Sequence, residues 1–116
     1  MSPNEPEYWT ALGRRAVACK RWRWMFGMLT MTGHRFAVQV GGVPEGEIPD
    51  LRDPATVGCL LAMVREAHGC EDAFCTRSYG NGPGGYGGWI VKLDIKIVGR
   101  GATEAEALVG ALEVAP

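Results

Sequence analysis

The chain has 116 residues and a mass of 12.5 kDa, with 47% apolar and 22% charged residues. That length suits one domain over residues 1–116 and supports a core without disulfides or metal, because single domains cluster at about 100–150 residues. Twelve Lys plus Arg against thirteen Asp plus Glu leave a formal charge of −1, which excludes a general electrostatic affinity for duplex nucleic acid or for membrane.

The first seven residues carry Pro3, Pro6, Glu5 and Glu7, a composition suited to a helix start with Asn4 as cap. Tyr8, Trp9, Leu12, Ala16 and Cys19 then recur at helical spacing, predicting a helix over 6–20 with Gly13 in its interior. Arg21 to Phe26 alternates with period two and predicts a strand with Trp22, Trp24 and Phe26 on one face. Gly27 breaks it, Met28 to Thr32 is ambiguous, and Gly33-His34 forms a turn. Arg35 to Val40 alternates again and predicts a second strand, followed by a loop from Gly41 to Pro49.

Asp53-Pro54 is the strongest helix start in the chain, a capping residue followed by proline at the first helical position. Val57, Leu60, Leu61, Val64 and His68 line the predicted core side of this helix, and Gly69 ends it. Its opposite face, with Cys59, Ala62, Met63 and Glu66, is unusually apolar. That suits either self-association as a homodimer or cover by a second layer of the same fold. Ala73 to Tyr79 predicts a third strand, Gly80 to Gly88 a loop, and Trp89 to Val98 a fourth strand with Lys92, Asp94 and Lys96 facing water. Thr103 and Glu106 form a capping-box pair ahead of a last helix with Ala105, Leu108, Val109 and Leu112 as its core stripe. The expected fold is α+β: a mainly antiparallel four-stranded sheet packed with three helices in the order α-β-β-α-β-β-α, a sandwich.

Three stretches carry a resemblance: Trp22-Arg-Trp-Met-Phe-Gly-Met28, Pro49-Asp-Leu-Arg-Asp-Pro-Ala-Thr-Val-Gly-Cys-Leu-Leu61 with Val64-Arg-Glu-Ala67, and Gly101-Ala-Thr-Glu-Ala-Glu-Ala-Leu108. Together these resemble small bacteriophage- and prophage-encoded proteins of the phage α-β-α sandwich type. The likeness covers about residues 20–115 in outline. Its motifs are caps and core residues, so it implies a fold and a genomic setting and brings no catalytic residues with it.

Charge is unevenly spread. Six basic residues (Arg14, Arg15, Lys20, Arg21, Arg23 and Arg35) lie between Glu7 and Glu45 with no acid among them, leaving six basic and thirteen acidic residues elsewhere. This segment forms either a basic patch or a surface packed against acids of the same fold. Arg21-Trp22-Arg23-Trp24 interleaves guanidinium and indole groups, a pattern that serves single strands or a nucleotide and equally a packed aromatic face with solvated arginines. The six glycines of Gly80–Gly88 suit a phosphate cradle, yet they lead into a strand and lack the Gly-Lys-Ser/Thr ending, so a hairpin tip or a partner-binding loop fits better. Tyr79, Tyr86 and Trp89 are the anchors such a loop offers, with Arg77 beside them.

His68, Cys70 and Cys75 are the weak metal candidates. Zinc needs a fourth donor from Cys59, Cys19 or His34, and Cys59 lies on the opposite side of an ideal helix from His68. The four cysteines form no Cys-x-x-Cys pair and read as reduced thiols. Glu45, Glu47, Asp50 and Asp53 form a carboxylate cluster that helix capping and solvation explain. With no convergent catalytic motif, no cofactor is expected, and a non-enzymatic binding protein is the leading reading. Its most concrete form is a phage accessory protein that engages a host protein, for instance an inhibitor of a bacterial defence system. A nucleotide-binding or sequestering protein using Arg21, Arg23, Arg77 and Tyr79 or Tyr86 is the alternative, and a cysteine- or zinc-dependent enzyme the third. No apolar run approaches the ~20 residues of a membrane span, and no basic-then-apolar leader opens the chain. The expectation is therefore a cytoplasmic protein of the bacterial host cell, without membrane or duplex nucleic acid as partner.

Overall fold

The computed structural model describes residues 2–37, 45–78 and 88–116. Its elements run α1 (Pro6–Val17), α2 (Pro54–His68), β1 (Phe74–Ser78), β2 (Gly88–Leu93), β3 (Lys96–Gly101) and α3 (Glu104–Glu113). The sheet is three-stranded and antiparallel in the order β1-β2-β3. The expected four-stranded sheet and the α-β-β-α-β-β-α order are overturned; the molecule is a small α+β globule.

Two causes account for the difference. The residues read as one strand from Trp89 to Val98 fold back on themselves, with Leu93 paired to Lys96 across a two-residue turn. Asp94 supplies the positive φ (57°) that this turn requires, a backbone state that Asp tolerates better than most residues, and Ile95 at the tip is 90% exposed. In addition, residues 21–26 form no strand. Their backbone closes turns instead, Trp22 N–H bonding to the Cys19 carbonyl and Met28 N–H to the Met25 carbonyl, with Gly27 at φ 98°. Trp22 and Trp24 do pack at the core, edge to face at 5.5 Å, whereas Phe26 turns outward and stacks on Phe36 at 5.1 Å. Of the strand expected over 35–40, Arg35 makes an isolated bridge with Leu29, and residues 38–40 lie outside the described residues.

The helices follow local chemistry. α1 starts at Glu5, whose side chain makes no cap bond, so Asn4 is not the cap, and the helix ends three residues before the expected position. Tyr8, Leu12 and Ala16 form its buried stripe. Gly13 is required by proximity: a Cβ there would stand 3.0 Å from the Pro49 carbonyl oxygen. α2 is capped by Asp53, which accepts from the Thr56 N–H, and is terminated by Gly69 in the left-handed region. At α3, Thr103 accepts the Glu106 N–H while Glu106 reaches back to the Ala102 N–H at 3.2 Å, a capping box displaced by one residue.

α3 is the pivot of the fold, with Ala105, Ala107, Leu108, Val109, Ala111 and Leu112 all buried. It packs against the sheet on one side and α1 and α2 on the other. Cys75, Val91 and Gly99 form one cross-strand row facing it. Gly99 and Gly101 let the helix approach, since a Cβ at Gly101 would come within 2.6 Å of the Ala107 nitrogen and one at Gly99 would overlap the Ala107 carbonyl.

Candidate functional site

The same register that turns Cys75, Val91 and Gly99 toward α3 turns the alternate rows away from it. Phe74, Lys92 and Ile97 form one such row, and Thr76, Ile90 and Arg100 the next. Among the described helices only α3 packs on the sheet, so this outer face has no helical cover. Phe74 is 43% and Ile97 39% exposed, a large apolar content for a solvated face. Among the described residues, Lys92 and Arg100, the cations of these rows, make no ion pair, while Lys96, opposite Leu93, stands on the other side of the sheet. The face is apolar and cationic, with Asp72 two residues before Phe74 and Asp94 two residues after Lys92 as its nearest acids in sequence. Alternation in the sequence turns Lys92 and Lys96 to one side; the hairpin instead puts Ile97, not Lys96, across from Lys92 and so into the row that begins at Phe74.

The cations of the first third of the chain are, by contrast, largely consumed within the fold. Arg23 makes a bidentate pair with Glu66 on α2 (2.6 and 2.5 Å), Arg15 pairs with Glu113 at 2.7 Å, and Arg35 with Asp53 at 3.0 Å. Arg21 donates to the Pro116 carbonyl at 2.8 Å. Of the two readings of the charge asymmetry, packing against acids of the same fold describes these residues. Arg21 and Arg23 are therefore not gathered with Arg77, whose guanidinium lies 5.5 Å from the Trp89 ring. Tyr79, Tyr86 and the glycines from 80 to 87 lie outside the described residues.

The metal candidates are also engaged separately. His68 Nε2 lies 2.8 Å from the Ala111 carbonyl, tying α2 to α3, and Cys75 Sγ faces the Glu104 carbonyl at 3.9 Å. Among the described residues no three His, Cys, Asp or Glu side chains gather in a metal-holding cluster. Burial pushes the Cys75 thiol up to about 12, helped by Glu104, and burial also raises Cys19 and Cys59. These thiols are held protonated at neutral pH, the reverse of an activated nucleophile. The carboxylate cluster disperses likewise: Asp50 holds Arg52, Glu47 accepts from Thr32, and Asp53 caps α2.

The apolar back of α2 is covered in part, with Ala62 left exposed. Met63 is buried, Cys59 Sγ points to the Phe26 carbonyl, and Thr56 Oγ1 accepts the Leu29 N–H at 2.8 Å, so the segment before α2 lies over that face. No described helix is long and apolar enough to cross a membrane.

No family model matches the chain, and no curated protein or solved structure is detectably similar to it.

Proposed function

We propose that this protein acts without catalysis, by binding a partner protein on the face of its sheet that no described helix covers. The observation that supports this is the placement of Phe74, Ile90 and Ile97 beside Lys92 and Arg100, apolar anchors next to cations that have no acid of their own among the described residues. Charge complementarity then selects an acidic partner surface with apolar projections. A second copy docked symmetrically on the same face would set these cations against one another, which disfavours self-association there. Among the described residues the face carries one aromatic, Phe74, too few for a nucleic-acid stacking platform.

The narrower form of the proposal, a phage accessory protein that engages a host protein and inhibits a bacterial defence system, rests on the sequence resemblance. The test is capture from bacterial extract on immobilised protein, comparing wild type with the double substitution Phe74→Ser, Ile97→Ser, after circular dichroism has verified the fold of both. An acidic protein retained by the wild type and lost by the variant supports the reading; identical captured sets overturn it.

A further inference from the structure

We infer that a second site, separate from the sheet face, binds a small amphiphilic amine: an apolar body carrying one cationic amino group. A groove of about 500 Å³ opens between α1, α2 and the start of α3, within the ~300–1,000 Å³ usual for small-ligand sites. Pro54, Val57, Gly58 and Leu61 line it from α2 at helical spacing, so Val57 and Leu61, expected in the core, are only half-buried and look into this groove. Met63, expected on the outer face, takes the core position instead.

Three features describe an occupant. Gly58 sits inside a helix, where almost any residue except proline is more favourable, and, its chain neighbours and its own helix backbone aside, no described atom lies within 4 Å of where its Cβ would be. Neither close packing nor a left-handed backbone explains this glycine; the room it leaves belongs to the groove. Trp9 forms the opposite wall and is fixed before any ligand arrives, its Nε1 donating to the Pro3 carbonyl at 2.8 Å and its ring edge-on to Tyr8. With its N–H engaged, the indole offers its face, which attracts apolar groups and cations alike.

The charge at the rim selects the sign. Glu104 lines the groove and makes no ion pair among the described residues. The groove's own cation, Arg52, is held by both carboxylate oxygens of Asp50 at 2.9 and 3.1 Å. The helix starts that border the groove are capped by Asp53 and Thr103, so their N–H groups at Thr56 and Glu106 are already taken and offer little to an anion.

The experiment titrates the full ¹⁵N-labelled chain with 2-phenylethylamine, 2-phenylethanol and 3-phenylpropionate, reading the Gly58 amide and the Trp9 indole N–H by NMR. The amine is expected to saturate both signals at on the order of 1 mM, at least about threefold tighter than the alcohol, with the acid weakest. Glu104→Gln should bring the amine and alcohol to equal affinity. Gly58→Leu, which fills the groove with a better helix former, should abolish the shift of the Trp9 indole N–H while raising the melting temperature. The inference is overturned if the amine does not saturate these two signals, if the acid binds as well as the amine, or if the Gly58→Leu chain binds unchanged. It does not depend on the sheet-face proposal, whose variants leave this groove untouched.

Discussion

Gly99 of β3 lies so close beneath the Ala107 carbonyl of α3 that no side chain fits between them. This contact sets the distance between sheet and helix, and with it which rows of the sheet are inside. A Cβ at Gly99 meets backbone (the Ala107 oxygen and the Ala111 nitrogen), so no rotamer change relieves it. Gly99→Ala should therefore destabilise the protein by about 3 kcal/mol, the upper range for overpacking a core. Urea unfolding measures this; a loss below about 1 kcal/mol would mean that α3 sits further from the sheet.

Thr56 gives the segment before α2 its anchor. It is fully buried, accepts the Leu29 N–H at 2.8 Å and donates to Asp53 Oδ2 at 2.8 Å. Thr56→Val keeps the shape and leaves the Leu29 N–H without its partner, at a cost of about 1–3 kcal/mol. Amide hydrogen exchange should show Leu29 losing protection more than the α3 amides do. Unchanged protection at Leu29 would place that bond elsewhere.

The pH dependence of folding should carry the mark of Asp53. Its carboxyl is held down to about 2 from the usual 3.8, first by the bond from Arg35 and then by those from Thr56, with desolvation opposing. A depressed carboxyl stabilises the fold above its unfolded pKa and loses that contribution as pH falls through the folded one, here between about pH 4 and pH 2. Asp53→Asn keeps a capping side chain but cannot ionise. Acid unfolding of this variant should be flatter than wild type across that window; superimposable slopes would count against the Arg35–Asp53 pair in solution.

The punctuation of the chain was legible in its sequence. Asp53-Pro54 and Gly69 bound α2 where expected, and Thr103 with Glu106 marks the start of α3, because capping is decided by a few residues within one turn. Alternation misled in two places for different physical reasons. At Trp22 and Trp24 it reports two side chains turned to the core, which a chain of turns achieves without a strand partner. At Trp89 to Val98 it passes unbroken through Asp94-Ile95, a turn lacking the glycine that usually announces a hairpin. Missing that turn hid the outer face, since Ile97 meets Lys92 and Phe74 only after the chain reverses. Helix periodicity places Leu60 and Val64 in the core, where they are. It also puts Val57 and Leu61 there, which are half-buried, and leaves out Met63, which is buried; only the tertiary neighbours decide how far the buried arc extends.

Chemistry at sulfur provides a separate check on the non-catalytic reading. The Cys75 thiol, pushed up to about 12 by burial and by Glu104, is almost wholly protonated at pH 7.5. Iodoacetamide should alkylate it far more slowly than it does glutathione, as followed by mass spectrometry of the folded protein. Cys75→Ser should leave partner capture intact. Rapid alkylation of Cys75 would instead revive a nucleophilic role.

The most direct test of the sheet-face account is site-specific photo-crosslinking in bacterial cells, with p-benzoylphenylalanine replacing Ile97 on the outer face or, as control, the exposed Arg14 on α1. The account predicts a defined adduct with one acidic protein from position 97, none from position 14, and loss of the adduct when Lys92→Glu and Arg100→Glu are added. No adduct from position 97, or one that survives the charge reversal, would contradict it.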